Sequence, residues 1–205
     1  MTAAADAFRW AELLARWNAD LIQTPEIARR LPSDVVASGW LGYPGATEAQ
    51  VQGAEARLGT ALPPSYRAFL KVTNGWRHLG YFHTRLWSAE EVDWFRLRNQ
   101  QWIDAWIEPW QTGPTIPDNE YFIYGVQQEV TAVRVEYMPS LLEISDIGDS
   151  VILLLNPSVV FPDGEWEAWD LGNWYPGARR YRSFWDLMEA KYTEFVAMRE
   201  HKAHR

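Results

Sequence analysis

Three groups of residues in this 205-residue chain carry side chains of the kinds that do chemistry. The first is Gly148-Asp149-Ser150, which has the Gly-Asp-Ser order found around the nucleophile of one class of serine esterases. That chemistry needs a strand leading into the block and a distant Asp-x-x-His to supply the base. Here the strongest strand pattern follows the block and no Asp-x-x-His occurs, so the triplet reads as a tight turn. No Gly-x-Ser-x-Gly elbow, phosphate-binding loop or dinucleotide fingerprint occurs either. The second group is the four histidines. His78 and His83 are an odd number of positions apart, which on a strand aims them at opposite faces. His201 and His204 fall in a basic C-terminal stretch, 201–205, that reads as a loose tail. With no cysteine in the chain, disulfides and thiolate zinc sites are excluded. No metal and no cofactor are expected.

The third group is acidic. Glu165 and Glu167 alternate with Trp166 and Ala168, so period two puts both carboxylates on one side of a strand. Two carboxylates among tryptophans are the residue set of acid–base chemistry at a sugar. Nothing in the sequence frames a cleft around them, and the pattern predicts a solvated strand face. As a surface the stretch has another use. Glu165, Glu167 and Asp170 supply negative charge, and Trp174 and Tyr175 lie in the Gly/Pro-framed loop that follows, Gly172 to Gly177. These aromatics either anchor a basic partner or fold back onto the core. Glu165, Glu167, Asp170, Trp174 and Tyr175 are therefore the expected partner-binding residues, and charge reversal at Glu165 and Glu167 is expected to slow association.

Helices dominate the first half of the chain. Trp10, Leu13, Leu14, Trp17 and Leu21 form one helical stripe that ends before Thr24-Pro25. Thr47 with Gln50 is a capping box for a helix closed by Gly59. Pro63-Pro64 opens the next helix, with Tyr66, Phe69, Leu70 and Thr73 on its buried face, and Asn74-Gly75 stops it. Residues 77–87 read as extended. Ser88 with Glu91 is a second capping box, introducing a helix that carries Val92, Phe95, Trp102, Ile103, Trp106 and Ile107.

The period then changes to two. Tyr121 to Val126, Thr131 to Tyr137, Leu141 to Ser145, Val151 to Leu155 and Glu165 to Asp170 read as strands. In the second, Val133 and Val135 are buried and Arg134 is wet; Asn156-Pro157 closes the fourth. Ser183 caps a final helix with Leu187, Met188, Tyr192 and Phe195. The whole, residues 1–205, is expected to be one α+β domain: N-terminal helices, a largely antiparallel or mixed sheet of about five to six strands, and a C-terminal helix.

Charge bounds the partners. Lys plus Arg number 19 against 27 Asp plus Glu, giving a net charge of −8. Such a chain is repelled by phosphate backbones and anionic lipid and attracts basic proteins; acidity also serves solubility. Nucleic acid and membrane are thus excluded as expected partners. No apolar run approaches the roughly 20 residues of a membrane span, and the N-terminus lacks the pattern of a secretory signal. A cytoplasmic setting is expected. The 13 tryptophans need partners for their indole N–H groups, which favours an interface for some of them.

The segment Leu62 to Gly75, LPPSYRAFLKVTNG, combines a Leu-Pro opening (Leu62, Pro63), the aromatic Tyr66, the pair Phe69-Leu70 and a closing Asn74-Gly75. Glu55 and Leu58-Gly59 precede it. Downstream come Tyr121-Phe122-Ile123-Tyr124-Gly125, Ile144-Ser145-Asp146 with Gly148-Asp149, Leu153-Leu154-Leu155-Asn156-Pro157, and Gly164 to Trp169. Taken in this order, over residues 47–198, they resemble the SUKH superfamily, named partly for a yeast regulator of cell-wall synthesis. Residues 1–46 form a helical extension outside the resemblance. One position departs: the family's turn is often Gly-Asp-Gly, and here Ser150 takes the last place, which predicts a less extreme backbone angle there.

The resemblance implies a non-catalytic protein. In bacteria such proteins are commonly immunity proteins that bind and neutralise polymorphic toxins, often nucleases or deaminases; in eukaryotes the domain is a regulatory interaction module. Three readings follow. The first is an immunity protein for a cognate toxin with a basic surface. The second is a regulatory protein–protein module, and the third a carbohydrate-binding protein or enzyme that uses the Trp-rich acidic surface.

Overall fold

The computed structural model describes residues 3–81, 85–108, 115–148, 150–172 and 177–203. Its N-terminal helices follow the predicted stripes. α1 (Ala3–Gln23) buries Trp10, Leu13, Leu14, Trp17 and Leu21. Two short helices, α2 (Pro25–Ala28) and α3 (Ser33–Ser38), lead to α4 (Glu48–Leu58). The capping box is formed: the Gln50 N–H donates to Thr47 Oγ1, and the Thr47 N–H donates to Gln50 Oε1 at 2.8 Å. α5 (Pro64–Val72) follows with Tyr66, Phe69 and Leu70 fully buried. Trp10 of α1 packs on Phe69 of α5 and on Phe184 and Trp185 of α8 (Phe184–Ala203), with ring centroids 4.7–5.4 Å apart.

At the end of α5, Asn74-Gly75 does more than stop a helix. The chain leaves the helix at an extended Thr73, and Asn74 then ties it to the next segment. Its Oδ1 accepts from the Ala89 N–H at 2.8 Å, and its Nδ2 donates to Glu90 at 2.9 Å. Gly75 has φ +104°, and a Cβ there would meet the Leu86 carbonyl oxygen at 3.0 Å, so this crossing needs glycine.

Five strands, β1 (Asp93–Trp94), β2 (Leu142–Glu143), β3 (Val151–Val160), β4 (Trp166–Gly172) and β5 (Gly177–Tyr181), form one antiparallel sheet in sequential order. Together with the flanking helices this gives the expected single α+β domain. Alternation sorts the strand residues between two cores. Leu153, Leu155, Trp166 and Ala168 pack with α1, α4, α5 and α8 on one face. Ile152, Leu154, Trp169 and Leu171 face a second cluster with Phe95, Ile103, Tyr121, Val133 and Met138. Both faces are covered, so no wet strand face remains on β4, where every residue is buried.

The cover of the second face is where the sequence pattern misleads. Tyr121 to Val126 and Thr131 to Tyr137 are not strands. The first stretch contains the end of α7 (Asp118–Tyr121) and the start of a 3-10 turn at Gly125–Gln127. The second runs into a 3-10 helix at Val135–Ser140. Gly125 has φ +77°, which takes the first stretch out of the extended conformation, and the second is taken into a 3-10 helix from Val135. Arg134, expected on a wet face, is buried; its Nε donates to the Ile116 carbonyl at 2.8 Å.

The helix predicted from Ser88 onward also fails to start there. The Glu91 carboxylate accepts from the Ser88 N–H at 3.0 Å as a capping box would have it, but it also pairs with Arg85 at 3.0 Å. Arg57 takes the Val92 and Ala89 carbonyls, at 2.7 and 3.0 Å, that a helix would use for itself. The chain instead forms β1, a 3-10 turn (Phe95–Leu97) and then α6 (Gln100–Ile107).

Three smaller expectations are corrected. β3 does not end at Asn156-Pro157 but runs to Val160, with a bulge between Asn156 and Val160 because Pro157 has no N–H for the ladder. Ser150 does not relax the turn: it has φ +64°, the only positive φ of a non-glycine among the described residues. Residues 201–203 are not a loose tail but the end of α8, and Lys202 donates to Glu26 of α2 at 2.7 Å. Within 77–87, single bridges join Trp76 to Leu86 and Leu86 to Ser145, and residues 82–84 lie outside the described part.

Candidate functional site

The three carboxylates expected on one surface go to three different places. Glu165 stands just before β4 and reaches α5. Its Oε1 accepts from the Ser65 N–H at 2.7 Å and its Oε2 from the Ser65 hydroxyl at 2.6 Å. Ser65 is in the first turn of α5, where N–H groups lack helical partners, so the carboxylate caps that helix from a distant part of the chain. Burial raises the Glu165 pKa, with Asp163 and Asp186 adding to the effect; the Ser65 donors pull the other way without cancelling it.

Glu167 is fully buried beneath α7, at the centre of a polar knot in the second core. Its Oε2 accepts from the Tyr121 hydroxyl at 2.6 Å, the Asn156 amide at 3.0 Å and the Trp169 indole at 2.6 Å. Its Oε1 accepts from the Tyr124 hydroxyl at 2.8 Å and lies 3.6 Å from Arg180, which is itself fully buried in β5. The Arg180 guanidinium stacks 4.0 Å over the Tyr121 ring and donates to the Tyr121 carbonyl. Burial pushes the Tyr121 and Tyr124 phenols far above their ordinary value, so both remain neutral donors to the carboxylate.

Asp170 points to the opposite face and pairs with Lys191 of α8. Lys191 also pairs with Glu194 at 3.0 Å, and Glu194 in turn with Arg179 of β5. Burial works against the charge on Lys191, but Asp170 and Glu194 outweigh it and hold its pKa above the ordinary value.

Glu165 and Glu167 therefore share no cleft, and neither is a lone acid facing solvent. The solvated strand face that the alternation predicts does not form, because α7 and the segments after it cover that side of β4. Trp174 and Tyr175 lie outside the described residues, as do Asp149, His83 and His204. His78 is buried, and its Nδ1 accepts from the Gly80 N–H at 3.1 Å. His201 is exposed on α8. Gly148 and Val151 exchange both backbone hydrogen bonds at 2.9 Å at the entry to β3. Among the described residues no group of three His, Asp or Glu is placed to hold a metal ion, and no helix is long and apolar enough to cross a membrane.

Two cavities of about 270 Å³ flank this region. One lies between α8 and the sheet, with Leu79, Tyr81, Leu153 and Phe195 as apolar walls and the Asp170–Lys191 pair at its side. The other is bounded by Trp10, Phe161, Trp185, Arg9, Arg182 and Glu165. Arg9 stacks on Trp185 at 4.1 Å and Arg182 on Phe161 at 4.5 Å, so the aromatic walls of the second cavity already carry cations of the chain itself.

Sequence reasoning missed Ser65, Tyr121, Tyr124, Gln128 and Arg180 as parts of this arrangement. One signal was present. Tyr121 and Tyr124 are three apart, a spacing that a strand would send to opposite faces, so their shared contact with Glu167 argues against a strand there.

The family motifs supply much of this geometry. Leu62 and Pro63 lead into α5, and the Leu62 N–H donates to Glu55 at 3.1 Å. Asn156 holds Glu167 through its Nδ2 and the bulge through its Oδ1, which accepts from the Ser158 N–H at 3.0 Å. A search of curated proteins finds none that matches the chain. Comparison with protein-family models matches residues 45–190, which take in α4, α5, the complete sheet and the start of α8. On that match, covering most of its length, the chain belongs to the SMI1 / KNR4 family (SUKH-1).

Proposed function

We propose that the protein is a non-catalytic binding protein, an immunity protein that binds and neutralises a cognate polymorphic toxin. The family match over residues 45–190 carries this reading, since immunity is the common role of the family in bacteria. The charge of −8 supports a basic partner such as a nuclease, whose substrate cleft an acidic protein can mask and whose approach it can steer. The carboxylates support the non-catalytic part of this reading. Glu165, Glu167 and Asp170 are engaged by helix α5, by the tyrosine–arginine knot and by Lys191, so these acids serve the scaffold. A toxin in the cytoplasm would be met there by a chain of this kind.

Gene neighbourhood is the first test, since a toxin gene immediately upstream supports immunity and its absence weakens it. Co-expression with the product of such a gene is the second. Growth rescue and a stoichiometric complex on size-exclusion chromatography are expected. Neither rescue nor complex would sink the immunity reading for that pair and favour a regulatory interaction module.

A further inference from the structure

The segment from Tyr121 to Gln128 is built inside out. Its inward residues are the polar-tipped ones: Tyr121 and Tyr124 bond Glu167, and Gln128 pairs with the backbone of β5. The Gln128 Nε2 donates to the Arg180 carbonyl at 2.8 Å, and its Oε1 accepts from the Arg180 N–H at 2.7 Å. Three of its outward side chains are apolar, and Gln127 is the polar one beside them. Phe122 is 41%, Ile123 37% and Val126 104% exposed. Folding alone favours the opposite arrangement, with Val and Ile inside and amide and hydroxyl groups outside. Three fixed points under the segment hold these apolar side chains out, which lowers the ordering cost of docking on them.

The exposed charge around this ridge is mostly negative. From residue 99 to residue 133 the chain has no Lys, Arg or His, whereas it has Asp104, Glu108, Asp118, Glu120 and Glu129. Asp118, Glu120 and Glu129 flank the ridge and are exposed. Hydrogen bonds from the Thr131 backbone and hydroxyl hold the Glu129 pKa below its ordinary value, so this charge persists at neutral pH. Three cations approach the segment, and one of them, Arg180, is fully buried beneath it against Tyr121. Arg134 is buried and paired with Asp118, and Arg182 stacks 5.9 Å over the Tyr124 ring. An apolar centre with a charged rim is the anatomy of a protein interface.

We propose that Phe122, Ile123 and Val126 form the docking ridge for a protein partner whose matching surface is an apolar patch ringed by Lys and Arg. The proposal gives the protein-binding reading above a location. It places the contact on the α7 side of the sheet, over the buried Glu167 and on the face opposite Asp170.

Two arms test it. In the first, the probe is a synthetic amphipathic peptide of alternating lysine and leucine, titrated into the full-length protein and followed by NMR. Shifts centred on Phe122, Ile123 and Val126, absent with a glutamate–leucine peptide and absent in Ile123→Ser/Val126→Arg, are expected. Shifts elsewhere, or none, would overturn the ridge. Because all three positions are exposed, the double variant should melt with the wild type, and a circular-dichroism melt checks this.

In the second arm, the double variant is measured against the adjacent-gene toxin. Affinity weaker by about tenfold or more supports the ridge. A complex formed with unchanged affinity overturns it while leaving the immunity reading intact. If the wild type forms no complex, the immunity reading fails for that pair, and the peptide titration decides the ridge.

Discussion

Glu165 and Ser65 join two of the chain's family motifs: one carboxylate accepts both the backbone N–H and the hydroxyl of one serine, at 2.7 and 2.6 Å. The Ser65 carbonyl in turn accepts from the Trp10 indole at 3.0 Å. One residue of α5 thus links the β3–β4 hairpin to α1. The helix has no side-chain cap from its own N-cap residue, Pro63, so this remote carboxylate does the work of one.

Removing it should therefore behave as loss of a cap. Glu165→Ala is expected to lower unfolding free energy by about 1–2 kcal/mol, and Ser65→Ala by less, since the N–H bond survives. Urea denaturation of both single variants and the double variant measures the coupling. Fully additive losses would show that the two residues do not act as a pair.

Glu167 should be far less tolerant. Glu167→Ala leaves Arg180 fully buried without its counter-ion and strands two phenols and an indole, and loss of one partner of a buried pair costs about 3–5 kcal/mol. Glu167→Gln keeps acceptor capacity and should lie between that variant and the wild type. Trp169, whose indole bonds Glu167, is a nearby fluorophore for the denaturation curve. A midpoint for Glu167→Ala equal to that of the wild type would refute the structural role. Charge reversal at this residue should act through loss of the fold, so it is a poor probe of association rate.

The parts legible in the sequence were those set by local physics. The stripe from Trp10 to Leu21, the Thr47–Gln50 box and the Ser183 cap, whose hydroxyl accepts from the Asp186 N–H at 3.0 Å, need only neighbours along the chain. The run Val151 to Leu155 was readable because only a central strand is buried on both faces. The misread parts are decided by distant partners. Arg57 captures carbonyls near Ser88, and Glu167 draws both Tyr121 and Tyr124 inward, although three positions apart on a strand they would face opposite ways. Alternation on β4 was read correctly as a strand but wrongly as a wet face, because period two cannot tell water from a second covering layer.

Ser150 invites a stabilising change. A side chain at φ +64° costs about 1–2 kcal/mol in left-handed strain, whereas glycine adds about 0.5–1 kcal/mol of unfolded-state entropy. The difference favours Ser150→Gly by about 0.5 kcal/mol. Ser150→Val should instead lose about 1–2 kcal/mol, because a branched Cβ fits this region worst. Thermal melts ranking Gly above Ser above Val are expected, and the reverse order would contradict the strain argument.

Glu143 should make stability depend on pH in the direction opposite to an ordinary paired carboxylate. It sits in β2 at 2% exposure, accepts from Asn99 at 3.1 Å, and lies 3.7 Å from Arg98. Burial raises its pKa from 4.5 to about 7, and Asn99 and Arg98 only partly oppose that rise. Between those values the unfolded chain has released the proton while the folded chain still holds it, so stability falls as pH rises through this window. Below it both states are protonated and the residue is neutral in each. Above it the folded state carries a buried charge at a cost of about 3 kcal/mol. Glu143→Gln removes the titration. Its stability relative to wild type should rise by that amount from pH 4 to pH 8, and parallel urea midpoints across the range would show that Glu143 does not titrate in this way.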